Sequence, residues 1–289
     1  MILAPLRGVT IRCFRETFAD EIRSAGFGEA ITPFVSAISG FDPLKDRELA
    51  KSPGCRDAGA SDFKVTPQFI GKDPEALRDC LEKVKEAGYD TADLNCGCPF
   101  PMVRRKGRGS GLLRTPDILR QMLEVGCATM GPGKFSMKAR LGIDRCDELL
   151  GLMPMINEFP LRFLTVHART ARQMYEGRCD WKSVETIERA AKIPVVRNGD
   201  LACDGPVGRP VMVGRAFVRG LGVREDSAAL LARYLAASQA ELCGDRPVLG
   251  RMKELIAYWK DLPQWRRRWA VVKLCRSTDE LKSCCAMGF

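Results

Sequence analysis

Eight short apolar or β-branched runs recur along the first 213 residues, each followed by a longer stretch. They are Met1–Ala4, Glu29–Thr32, Lys64–Phe69, Thr91–Leu94, Phe135–Ala139, Phe163–Val166, Pro194–Arg197 and Pro210–Val213. Several of the stretches between them have helical spacing. In Pro74–Ala87, Leu77, Leu81 and Val84 fall on one face. Thr115–Cys127 opens on Thr-Pro, and Trp181–Ala191 follows Asp180, both good helix starts. Strand–helix alternation implies parallel strands, because only a crossover can return the chain to the same edge. Eight repeats predict a closed (β/α)8 barrel, an α/β fold. The alternative, an open doubly wound sheet, usually carries Gly-x-Gly-x-x-Gly after its first strand, and none is present. One crossover is irregular. Only ten residues, LACDGPVGRP, separate Asp200 from Val211, too few for a full helix. The seventh helix is expected to be lost or reduced to a turn.

The runs end on polar or special residues: Pro5-Leu6-Arg7, Pro33, Gln68, Asn95 with Cys98, Lys138 with Arg140, His167 with Arg169, Asn198-Gly199-Asp200, and Gly214-Arg215. In a barrel of this kind the working face is built from the C-terminal strand ends. So many polar residues in phase with the strands predict a site there. The seventh and eighth strand ends fall where such barrels commonly hold a phosphate. Gly214 permits close backbone approach, and Arg215 offers a planar fork. Gln68 has the chemistry to bond the edge of a flat heteroaromatic ring. Lys138 would place a positive charge beside one.

Residues 94–115, LNCGCPFPMVRRKGRGSGLLRT, put a thiol at a strand end before a run rich in Gly, Arg and Lys. Taken alone, Cys98 is either a small buried hydrophobe or a reactive group facing a polyanion. Arg104, Arg105, Lys106 and Arg108 suit phosphates, and Gly107, Gly109 and Gly111 would let the loop close.

Composition narrows the partners. The formal net charge is +10, which favours an anionic partner. No apolar run is long enough to span a membrane, and no lipidation motif is present, so nucleic acid is favoured over a lipid surface. The N-terminal MILAPLRGVT lacks a charged leader, and a cytoplasmic protein is expected. Thirteen cysteines without any Cys-x-x-Cys, beside a single histidine, argue against both a disulfide framework and a structural metal.

After residue 235 the strand signal stops. Residues 236–289 are expected to form a short helical domain, with Arg251–Trp259 and Trp265–Leu274 as its clearest helices. Tyr258, Trp259, Trp265 and Trp269 interleave there with Lys260, Arg266, Arg267 and Arg268. Such a mixture suits RNA, through stacking and phosphate contacts. It suits an amphipathic helix packed on the barrel equally well.

Seven segments together resemble the tRNA-dihydrouridine synthases, in order and near the usual spacing: LAPLRGVT, KVTPQFIGKDPEAL, DLNCGCPFPMVRRKGRGSGLLRTPDIL, MKARLGI, LTVHARTARQMYEGRCDW, IPVVRNGD and VMVGRAF. The likeness runs from Ala4 to Phe217. It implies an FMN-binding barrel at 1–235 and a helical tRNA-binding domain at 236–289, with a monomer expected. NADPH would reduce the flavin, hydride would pass to C6 of a uridine, and Cys98 would protonate C5. Asn95 would orient the base. Pro5, Leu6, Arg7, Gln68, Lys138, His167, Asn198, Gly199, Asp200, Gly214 and Arg215 would line the flavin. Arg104, Arg105, Lys106, Arg108, Arg266, Arg267 and Arg268 would hold the tRNA. The target base would have to leave its stack to reach the flavin, and no metal is implied. The closest likeness is to the bacterial branch acting on D-loop position 16. Leu6 and Ala168 depart from the usual Met and Gly. A small-molecule flavin oxidoreductase and a non-catalytic tRNA-binding protein are the alternative readings.

Overall fold

The computed structural model describes residues 1–49, 63–203 and 208–286. All eight expected strands form, and they close. We label them β1 (Ile2–Leu3), β2 (Glu29–Ile31 and Val35–Ser36), β3 (Lys64–Thr66 and Gln68–Ile70), β4 (Ala92–Cys96), β5 (Phe135–Arg140), β6 (Leu164–His167), β7 (Val195–Asn198) and β8 (Val211–Val213). Every pairing is parallel. The first half of β2 pairs with the first half of β3, and the second half with the second, so β1 to β8 form a complete ring. Pro33 and Pro67, which have no N–H for the ladder, interrupt β2 and β3. Thr32 bridges the gap. Its N–H donates to the Thr66 carbonyl (3.0 Å), and its Oγ1 accepts from the Gln68 N–H (3.0 Å).

The helices follow the strands. They are α1 (Arg12–Thr17), α2 (Ala19–Ser24), α3 (Pro74–Glu86), α4 (Pro101–Arg104), α5 (Pro116–Met130), α6 (Glu148–Ile156), α7 (Trp181–Ala190) and α8 (Arg215–Val223). Asp73 and Asp180 cap α3 and α7, accepting bonds from backbone N–H groups of the first turn. Thr115 precedes α5 without a side-chain cap bond. Residues 204–207 of the short crossover lie outside the described residues, and 199–203 and 208–210 on either side contain no helix.

Strand alternation separates two environments. Leu94, Cys96, Met137 and Val166 point outward into the apolar layer beneath α3, α5 and α6. The opposite face of the same strands carries Asp93, Asn95, Ser136, Lys138, Thr165 and His167 into the ring. Ala4, Ile31, Phe163, Val196 and Met212 form a small apolar cluster. Polar groups lie beside it, and on β2 the buried Glu29 accepts from Thr66 (2.6 Å) and Arg162 (2.6 and 2.8 Å).

Beyond α8 lie α9 (Ser227–Glu241), α10 (Asp245–Ala257), α11 (Pro263–Val272) and α12 (Thr278–Ala286). Residue 235 falls inside α9, and α9–α12 share one apolar core with α1, α2 and α8. Trp259 and Trp265 are both 0% exposed. The Trp259 indole donates to the Val218 carbonyl (2.7 Å), and that of Trp265 to Gly222 (3.1 Å). A Cβ at Gly222 would lie 2.4 Å from the Trp259 ring, so only glycine admits the indole. These two tryptophans anchor the helical end to α8 and cannot stack on RNA bases, and the packing reading holds for them. Trp269 is half-buried, and Tyr258 turns toward the barrel mouth. Glu241 adds a largely buried ionic link, accepting from Arg12 of α1 (2.8 Å) and Arg251 of α10 (2.6 Å).

Candidate active site

A cavity of about 730 Å³ opens at the C-terminal ends of the strands. Of the residues expected to line a flavin, all but Gln68 border it, and Asn95 and Cys98 border it too. Gln68 is wholly buried one row deeper, with both ends of its amide engaged. Its Nε2 donates to Asp93 (2.7 Å), and its Oε1 accepts from the Asn95 Nδ2 (2.7 Å). It reaches the cavity only through Asn95.

Cys98 follows β4 in a tight turn. The Asn95 Oδ1 accepts from the N–H groups of Gly97 (3.1 Å) and Cys98 (2.8 Å), an Asx turn built by the strand's own last inward side chain. Ser110 donates to the Cys98 carbonyl (2.9 Å) and Arg140 to that of Gly97 (2.9 Å). The Gly-Arg segment beyond is folded as α4 and a short 3₁₀ helix, Gly109–Arg114. Gly109 has φ +57, and a Cβ there would lie 2.8 Å from that of Cys98. Gly109 thus packs closely on the thiol's own turn. Burial pushes the Cys98 thiol up, against a backbone hydrogen bond at Phe100 and the charges of Arg7 and Arg140. The thiol stays protonated at neutral pH. Cys96 points outward into the apolar layer and does not border the cavity.

Across the mouth, the Lys138 Nζ donates to the Asn198 Oδ1 (2.9 Å), and Asn198 in turn donates to the Met212 carbonyl (2.8 Å). Burial, reinforced by Arg140 and opposed by Asp93, brings Lys138 down to about 7. Burial also holds His167 well below its ordinary value, with Lys138, Arg140, Arg169 and Arg215 adding to the effect. The ring is neutral. Its Nε2 lies 3.4 Å from Arg169 Nη1, which can only donate, so the proton sits on Nδ1. Asp200 binds both Arg169 and Arg215. Burial works to raise its carboxyl, but these two partners hold it below the usual range. Arg215 therefore carries a carboxylate partner rather than a free fork.

Five further lining residues complete the mouth: Arg140, Tyr175, Arg219, Tyr258 and Lys260. Arg140, the strand-end residue two positions beyond Lys138, borders the cavity as its place at the strand end predicts. Tyr175, 44% exposed, lies between the Arg140 and Arg215 guanidiniums, each 5.3 Å from its ring centre. Arg219 of α8 borders the same cavity as Tyr258 and Lys260, which come from the α10–α11 turn. No local pattern connects that turn to the barrel. Arg105, Lys106, Arg266 and Arg267 are exposed, Arg104 and Arg108 are half-buried, and Arg268 lies 5.1 Å over the Trp265 ring. Among the described residues no cluster of potential metal ligands occurs, and all cysteines are free thiols. No helix among them is long and apolar enough to cross a membrane.

The family model for dihydrouridine synthase matches residues 2–203. The chain belongs to the dihydrouridine synthase family. It is 29% identical over 202 residues to tRNA-dihydrouridine synthase B of Vibrio vulnificus, a stretch that is 70% of this chain but only 60% of that relative. To the Escherichia coli synthase B it is 30% identical over 210 residues, covering 70% and 60%. To the tRNA-dihydrouridine(16) synthase of Pseudomonas putida it is 29% identical over 287 residues, covering 88% and 86%. In fold it resembles a morphinone reductase (TM-score 0.54, 10% identity, covering 75% of this chain and 83% of that one). It also resembles an old yellow enzyme homologue from Zymomonas mobilis (TM-score 0.53, 13% identity, covering 75% and 85%).

Proposed function

We propose that this chain reduces a uridine of tRNA to 5,6-dihydrouridine, using FMN reduced by NADPH, with Cys98 as the proton donor. The observation that carries this reading is a single cavity bordered by a protonated thiol, a buried lysine bonded to an amide and a neutral histidine. The cavity residues fit FMN. Gly214 leaves a cradle that a side chain would fill, since a Cβ there would lie 3.0 Å from Ala4 and 3.3 Å from Leu6. The same glycine begins α8, whose free N–H groups suit a phosphate. Lys138 would favour an electron-rich ring.

Bound FMN would supply the hydride that reaches C6 of the uracil. The chain supplies the rest. The Cys98 thiol gives its proton to C5, the uracil C5=C6 bond becomes single, and the thiolate recovers a proton from solvent. Asn95 fixes the turn that aims the thiol. Arg140 holds that turn from the other side and faces the same cavity. The exposed Arg105, Lys106, Arg266 and Arg267 contact tRNA phosphates, with Arg104, Arg108 and Arg268 behind them. The barrel carries the chemistry, and the helices from 236 onward carry the tRNA contacts. The protein acts as a cytoplasmic monomer. Position 16 of the D-loop is the target favoured by the likeness to the Pseudomonas putida enzyme, which covers 88% of this chain. The test is a strain lacking the gene, with and without the gene restored. Dihydrouridine at position 16 should vanish and return, whereas loss at another position would redirect the assignment.

Two further outcomes are expected. Arg266→Ala with Arg267→Ala should weaken tRNA binding and lower the magnitude of the log K versus log salt slope by about 1–2. An unchanged slope would remove α11 from the RNA surface. Lys138→Met should reveal the lysine's lowered pKa. The folded protein disfavours the charged amine, a penalty complete below pH 7 that fades as pH rises toward the ordinary lysine value of 10.5. The stability difference between the two proteins should therefore shift in favour of the wild type across that window. A difference that does not change with pH would show that Lys138 titrates normally.

A further inference from the structure

Four polar side chains form one continuous chain of hydrogen bonds from the barrel interior to the Cys98 turn. The Ser136 Oγ donates to Asp93 Oδ1 (2.6 Å), and Gln68 Nε2 donates to Asp93 Oδ2 (2.7 Å). Asn95 Nδ2 donates to Gln68 Oε1 (2.7 Å), and Asn95 Oδ1 accepts the Gly97 and Cys98 N–H groups. Asp93, Gln68 and Ser136 are all 0% exposed. They occupy adjacent strands in one register row, Gln68 opposite Asp93 and Asp93 opposite Ser136.

A carboxylate only accepts, whereas a primary amide has a donor end and an acceptor end. We infer that Asp93 is a positioning residue that sets the polarity of two amides in series and thereby locks the turn carrying Cys98. With both carboxylate oxygens accepting, Gln68 must present its nitrogen to Asp93 and its oxygen to Asn95. Asn95 must then present its nitrogen to Gln68 and its oxygen to the turn. If either amide reversed, an NH2 group would face two backbone N–H groups, and the turn would lose its acceptor. Leaving such buried donors unpaired is costly, which is why the arrangement holds together as a unit. The inference rests on the proposed role of Cys98 for its functional meaning, but its physical content is the order of the turn.

That order can be read without catalysis, by the alkylation rate of Cys98 with iodoacetamide in the full-length protein as purified, followed by peptide mass spectrometry. Cys96 lies in the same peptide and is 0% exposed, so it reports global opening. Asp93→Asn offers Gln68 either an oxygen or a nitrogen and leaves the polarity undetermined. Cys98 alkylation should rise at least about fivefold while Cys96 stays unreactive, because lost turn order exposes the thiol. Adding Gln68→Glu moves the acceptor-only group one step along. The carboxylate introduced at position 68 then accepts from the amides at positions 93 and 95, and the rate should return to within about twofold of wild type. Ser136→Ala keeps the polarity and should leave the rate near wild type. An unchanged rate in D93N, or a double variant no better than D93N, would overturn the inference. If D93N does not fold, the double variant decides alone: folded with the native rate supports the relay, unfolded or fast refutes it. None of these readings depends on whether Cys98 is the proton donor.

Discussion

Cys98→Ala is expected to keep the bound flavin and to lower dihydrouridine formation by about 10²–10⁴-fold, the usual contribution of a positioned general acid. The argument begins with burial. The thiol is 6% exposed and its proton is held on by desolvation, which suits an acid and disfavours a nucleophile. Among the described residues no other thiol borders the cavity, and Cys96 points into the outer apolar layer. The backbone around position 98 is fixed by bonds to main-chain atoms, from Asn95, Ser110 and Arg140, so removing the sulfur leaves the turn intact. Flavin retention and proton donation should therefore separate cleanly. Cys98→Ser should fail to rescue, because an alcohol is a far weaker acid than a thiol. Absorbance of the bound flavin and mass-spectrometric counting of dihydrouridine in tRNA test both halves. Undiminished product would remove Cys98 from the reaction.

Trp259→Ala should destabilise the protein by about 3–5 kcal/mol, the cost of emptying a large aromatic site in a packed core. The thermal midpoint should fall by roughly 6–20 °C. The indole fills the space above Gly222, lies 4.7 Å from the Trp265 ring centre, and bonds the Val218 carbonyl. Little nearby can collapse into the gap, because the neighbouring wall is the glycine backbone of α8. The next residues, Tyr258 and Lys260, border the cavity, so the same change should also loosen its rim. Circular dichroism melts measure the first effect. A shift below about 2 °C would show that the helical end is held elsewhere.

The barrel was legible in the sequence because its signal is repeated. Eight apolar or β-branched runs in phase with polar ends leave few alternatives, and the strands form within one or two residues of their expected limits, except β2, which resumes after Pro33 and runs on to Ser36. Lys138, His167 and Asn198 were legible for the same reason, being strand-end residues with a fixed inward direction. Gln68 was not, because an amide that bonds a ligand and one that bonds a neighbouring strand look alike until the register places Asp93 opposite it. Trp259 and Trp265 were ambiguous for a similar reason. Their basic neighbours suit RNA, and it is packing against α8 at Gly222, 37 and 43 residues earlier in the chain, that helps bury them.

The sequence by itself determined the closed parallel ring, its working end and the thiol that sits there, since each follows from local periodicity and residue type. Tertiary structure decided what those residues touch. It turned the Gly-rich loop into packed helices, paired Arg215 with Asp200, and brought Tyr258 and Lys260 to the rim. It also linked Asp93 to Cys98 through two amides. Hydrogen bonds and burial depend on partners distant in the chain, and strand register, which no single segment encodes, sets which partners meet.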